Sequence, residues 1–161
     1  MPEIKFVDGE LVPEPAKRLL VHAGDMTSRL RKHHGAEIGL RCVSVAYDEE
    51  SMWRLVVLFR SDTGAPVEFG AIRIFLGVLD EEVRDLVVAG KEPLGGILER
   101  CGVDYTSGPK GYFCYGADAF VGILLDETVE KPLFGRCNEL AMRQSGEVFA
   151  EIVEILPEGV E

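Results

Sequence analysis

The chain has 161 residues, 47% hydrophobic and 28% charged, with a formal net charge of -11, which suits one domain with a real core. That charge argues against a nucleic-acid partner, which needs a basic face, and against anionic membrane surfaces. No apolar run approaches the roughly 20 residues of a membrane span, and the N-terminus lacks the basic and apolar regions of a signal peptide. The four cysteines, Cys42, Cys101, Cys114 and Cys137, are scattered without a C-x-x-C pair, so zinc ribbons and redox motifs have no support. The expectation is a cytoplasmic protein with reduced thiols, no metal and no organic cofactor.

Residues 1–12 read as an irregular or strand-like lead-in. Pro13 and Pro15 open a helical stretch over 14–22, and Ala23-Gly24 breaks it. Asp25 is placed to cap a second helix over 26–34, with Gly35 as its stop. Strands follow over 38–47 and 51–60, then a hairpin turn over 61–64 and a strand over 66–76. Asp80 starts a helix over 81–89 that Gly90 stops. Pro93 suits the opening of another, running to Cys101 and stopped by Gly102. A strand over 111–115, a helix over 117–125 weakened by Gly122, and a hairpin of 132–142 with 147–156 complete the chain. The sum is a single α+β domain over 1–161. It has an antiparallel sheet of about six strands with two helical hairpins inserted at equivalent places. No βαβ crossover and no glycine-rich loop ahead of a helix is present. Gly95-Gly96 falls inside a helix and is a weak phosphate signal.

Three apolar stretches carry charge where a buried strand would not want it. Residues 52–59 contain Arg54, 69–76 contain Arg73, and 149–157 contain Glu151 and Glu154. A buried charge is costly unless it is paired or meets a ligand, so these residues suggest a small polar site inside a sheet. Half-exposed strands with the charges in water are the alternative. Arg54 is suited to holding a carboxylate bidentately. Glu151 and Glu154 lie on opposite faces of one strand, so at most one enters a given site. Glu151 shares its face with Phe149, Val153 and Ile155, the more apolar set, and the count leans to it. A carboxyl group in such surroundings has a raised pKa and suits acid–base work. His33-His34 end a helix, a favourable place for imidazolium, and no ligand cluster surrounds them.

Several landmarks, in order, resemble the chorismate pyruvate-lyase family, which makes 4-hydroxybenzoate from chorismate. The resemblance covers roughly residues 19–157. The run Leu-Leu-Val-His-Ala-Gly-Asp-Met-Thr-Ser-Arg-Leu, with Met26-Thr27, looks like the family's first helical hairpin. Arg54-Leu-Val-Val-Leu looks like its arginine-led strand. Gly70 falls at its ligand-side glycine, Pro93-Leu-Gly95 at the start of its second helical hairpin, and Gly135-Arg136 in its next strand. Each motif is short. The ordered set points to the chorismate lyase-like fold, shared with the UTRA-like ligand-sensing domains of some transcriptional regulators.

The resemblance implies a ligand enclosed between the sheet and two helical flaps. Arg54 would bind the ring carboxylate, and Met26, Thr27, Gly70 and Leu94 would line the pocket. Arg73 or Arg136 would hold the enolpyruvyl carboxylate, and Glu151 or Glu154 would be the acid–base group. Counting back from Pro157 puts the family glutamate at Val153, between the two candidates. The family's second arginine falls at Ala71, two residues before Arg73. The expected function is elimination of pyruvate from chorismate without a cofactor. The alternative is a non-enzymatic module that binds or senses a small aromatic carboxylate, and a third reading is an enzyme of this fold acting on another aromatic or enolpyruvyl carboxylate. The resemblance begins almost at the N-terminus, which argues against a complete regulator.

Overall fold

The computed structural model describes residues 4–116, 119–125 and 132–157. β1 (Ile4–Val7) leads to α1 (Ala16–Leu20) and α2 (Met26–His34). The Asp25 carboxylate caps α2 by accepting from the Ser28 N–H at 2.8 Å, and Gly35 ends it at φ 61°. β2 (Ile38–Tyr47), β3 (Ser51–Arg60) and β4 (Pro66–Phe75) are consecutive antiparallel strands. α3 (Glu81–Ala89) and α4 (Leu94–Arg100) follow, then β5 (Tyr105–Tyr115), α5 (Ala119–Leu124), β6 (Leu133–Met142) and β7 (Val148–Ile155).

The strands form one seven-stranded sheet in the order β1-β5-β6-β7-β4-β3-β2, with every neighbouring pair antiparallel. The expected count was about six. β1, read as a lead-in, pairs with the end of β5, Ile4 opposite Tyr115. β5 starts at Tyr105, six residues before the expected Gly111, because Gly108-Pro109 does not break it. A register shift between Pro109 and Gly111 absorbs the proline, which a regular central strand would reject. The helix expected over 117–125 is present as α5, and residues 117 and 118 lie outside the described residues.

Helical periodicity sets what each helix buries. α3 buries Val83 and Val87, and α4 buries Leu94, Ile97 and Leu98, spacings that fall on one helix face. These side chains join Met52, Ile74 and Phe149 in one core cluster. Leu19, Leu20, Met26 and Leu30 of α1 and α2 form a second with Leu58 and Leu156. A third cluster, on the other face of the sheet, packs Val121 and Leu125 against Val57, Phe69 and Ile155. α2 also packs on α4. No described helix is long and apolar enough to cross a membrane. All four cysteines are free and half-buried.

Candidate functional site

Strand register decides which residues meet. Arg54 on β3 lies opposite Ile72 on β4, Val56 opposite Gly70, and Leu58 opposite Glu68. Gly70 then faces Glu154 on β7, and Glu154 faces Arg136 on β6. Because side chains alternate, these positions share the face beneath the helices. Between them and the first residues of α2 and α4 lies a cavity of about 60 Å³. Its apolar walls include Met26, Leu40, Val56, Leu58, Ile72 and Leu94, and its polar lining is Asp25, Thr27, Arg54, Glu68, Asn138 and Glu154.

Arg54 is the residue least explained by the protein around it. It is 2% exposed. Its guanidinium makes one long hydrogen bond, Nη1 to the Val87 carbonyl at 3.5 Å, and its buried Nε meets no acceptor. No carboxylate pairs with it among the described residues, and burial pushes its pKa below the ordinary arginine value. A full charge held this way is unfavourable until an anion arrives.

Arg136 is the opposite case. It is fully buried, and its Nε donates to Glu154 Oε2. Its Nη1 donates to the carbonyls of His22 at 2.9 Å and Leu20 at 3.4 Å, and its Nη2 to that of Gly24 at 3.1 Å. Its charge and donors are thus committed to the connection between α1 and α2, and it does not line the cavity. Asn138 is anchored nearby through Nδ2 to Ser107 Oγ at 2.9 Å.

Glu68 was not singled out from the sequence. It is 3% exposed, lines the cavity, and its buried Oε2 has no partner. Burial pushes its carboxyl well above the ordinary 4.5, Glu154 adds to the rise and Arg136 opposes it. Burial raises Glu154 too, while Arg136 pulls it back. Only Glu154 touches the Arg136 guanidinium, so of the two carboxyls Glu68 is the one whose neutral form its surroundings favour more. The clue was in the sequence: Glu68 stands between Val67 and Phe69, two residues before Gly70 and so on its face. An apolar run counted from residue 69 passes it by.

The lean to Glu151 is corrected. Leu140 pairs with Ala150 and Ala141 with Val148, so Phe149 is an extra residue in β7. This bulge breaks the period-2 count and sends Phe149 into the core with Ala150. Val153 and Ile155 do share the face of Glu151, but that face belongs to the cluster beneath α5. The Glu151 side chain is 51% exposed and lies 4.0 Å from Arg73. Arg73 likewise lies away from the cavity. Its guanidinium sits between the rings of Trp53 and Phe75, 4.9 and 4.6 Å from their centroids, and donates to Ser51 Oγ at 3.0 Å. The half-exposed reading holds for this pair. Met26, Thr27, Arg54, Gly70, Leu94 and Glu154 do come together on the cavity.

Gly70 is part of the cavity floor. A Cβ there would lie 3.2 Å from Val56 Cγ2 and 3.8 Å from Glu68 Oε1. Gly70→Ala is expected to change stability by less than about 1 kcal/mol, the gain of a strand alanine offsetting the squeeze on Val56. A urea melt measures it.

The buried acid also sets a pH dependence. Above about pH 4.5 the unfolded chain loses the Glu68 proton while the folded chain keeps it, so stability falls as pH rises toward the folded pKa. His22 acts in the other sense. Burial, with Arg136 and Arg29, lowers it from 6.5 to about 4, so its contribution is lost as pH falls below 6.5. Glu68→Gln should therefore remove the Glu68 share of the decline, read as the difference in Tm between the two proteins as pH rises above about 4.5, in which the His22 contribution cancels. An unchanged slope would place the proton elsewhere.

No family model and no curated protein matches the sequence. Solved structures do. PhnF from Mycobacterium smegmatis superposes with a TM-score of 0.66 at 15% identity, over 87% of this chain and 66% of that one. The effector domain of the same protein gives 0.62 at 14%, over 83% and 88%. The ligand-binding domain of a putative GntR-family transcriptional regulator from Bordetella bronchiseptica gives 0.58 at 14%, over 76% and 87%. The chain thus spans about two thirds of the length of whole PhnF, and most of its effector domain. At these identities the likeness is one of fold: an α+β antiparallel sheet of the kind found in the C-terminal UTRA domains of GntR-family regulators. Nothing among them supports the chorismate pyruvate-lyase family.

Proposed function

We propose that the chain is a ligand-binding module, a sensing domain for a small carboxylate with an apolar body, and that it carries out no turnover. The observation that carries this reading is the Arg54 guanidinium, buried at the cavity with no carboxylate paired to it among the described residues. A ligand carboxylate would supply the missing charge, and the aliphatic walls would take the ligand's body. The starts of α2 and α4, which bring Met26, Thr27 and Leu94 to the cavity, would part as flaps to admit the ligand. The acid–base role expected of Glu154 loses support, since its carboxylate is held by Arg136. The regulator domains of like fold favour sensing over catalysis.

The test is thermal denaturation with benzoate, 4-hydroxybenzoate and chorismate, beside a coupled assay for pyruvate. The expected outcome is a rise in Tm with at least one carboxylate and no pyruvate from chorismate. Pyruvate release at a steady rate would return the lyase reading.

A further inference from the structure

The cavity is charged unequally at its two ends. At one end stands Arg54. Its backbone lies opposite Ile72, four residues along β4 from Glu68, about 13 Å at the usual strand rise. At the other end the lining carries Glu68; Glu154 lies between, opposite Gly70, and Asp25 ahead of α2 is near enough to bear on Glu154, whose cation is Arg136. The carboxyl groups interact: Asp25 and Glu68 both bear on Glu154 or are borne on by it. Glu68 Oε2 is buried and unpartnered. Asp25 already accepts from the Ser28 N–H and Glu154 from Arg136, so Glu68 is the carboxyl left wanting a hydrogen-bond donor, best a charged one.

Resting on the reading of the cavity as a carboxylate site, we propose that its ligand is an amino carboxylate: Arg54 holds the carboxylate, and Glu68 receives a protonated nitrogen at the opposite end. Glu68 is then the residue that sets specificity between amino carboxylates and plain or hydroxylated ones. On binding, the O–H bond of the Glu68 carboxylic acid breaks and its proton leaves to solvent. The carboxylate left behind accepts from the ligand's ammonium, which keeps its own protons. The charged groups around this exchange are Glu154 of β7, Arg136 of β6, Asp25 ahead of α2 and Arg54 of β3. Each would also feel the incoming cation.

Benzoate, 4-hydroxybenzoate and 4-(aminomethyl)benzoate are titrated calorimetrically into the wild type and Glu68→Gln, in two buffers of different ionisation enthalpy. The aminomethyl compound is expected to bind the wild type about tenfold or more tighter than benzoate, with net proton release. In Glu68→Gln, which keeps the shape of the neutral acid, the preference should shrink to about twofold and proton release should vanish. Equal binding of the three, a preference for the hydroxyl compound, or a preference that survives Glu68→Gln would each overturn the assignment while leaving the carboxylate site standing. No binding by any of the three would remove the carboxylate site itself, and this inference with it. Carboxyl carbon NMR of the ligand-free protein gives a second readout: a Glu68 already ionised near neutral pH would overturn the proton exchange.

Discussion

Replacing Arg54 by methionine should make the ligand-free protein more stable and at the same time blind to carboxylates. The guanidinium is 2% exposed and has one 3.5 Å hydrogen bond to show for its desolvation. Methionine fills a comparable volume with no charge to bury. Removing an uncompensated buried charge in this way is worth about 1–3 kcal/mol of stability. Losing a charge-assisted, bidentate contact should weaken binding of a carboxylate probe about a hundredfold. A urea melt measures the first effect and calorimetry the second. An Arg54→Met protein that is less stable and binds as before would make Arg54 a structural residue. The opposite movement of stability and affinity is the mark of a site that stores a cost until its ligand arrives.

Arg136→Met should do the reverse and cost about 3–5 kcal/mol, because it strands Glu154 beneath the helices without its counter-charge. The carbonyls of Leu20, His22 and Gly24 lose their donor in the same step. Arg136→Met combined with Glu154→Leu should recover part of the loss by removing the stranded charge, though not the share due to the three carbonyls. A double-mutant cycle in urea separates the two shares. Near-complete recovery in the double variant would show that those carbonyls contribute little.

How much of this could be read from residues alone depends on the element. The caps and stops were legible because the side chains that make them act locally: Asp25 at the start of α2, and Gly35 and Gly90 at left-handed φ. The resemblance put Arg54 and Gly70 on one expected pocket but left Glu151 and Glu154 open; that Glu154 shares their face follows from strand register, which neither it nor periodicity supplied. Glu151 misled because one extra residue in β7 shifts the face of Phe149, and nothing in the sequence around Val148-Phe149-Ala150 announces a bulge. Arg136 misled because its partners are carbonyls more than a hundred residues away. A backbone acceptor leaves no trace in side-chain pattern. Glu68 was readable in principle, as a charge between Val67 and Phe69.

The ties of Arg136 also bear on how such a chain can change over time. One guanidinium closes the account of the β7 carboxylate and of the chain reversal ahead of α2. The pocket's chemistry and the route of the chain around it are therefore inherited together. A descendant that exchanged Glu154 to suit a new ligand would leave Arg136 without its anion, and the turn between α1 and α2 would lose its anchor unless a new one arose nearby. Arg54 carries no such obligation. On the proposed binding role, ligand preference in this chain should drift more readily at Arg54 than at Glu154.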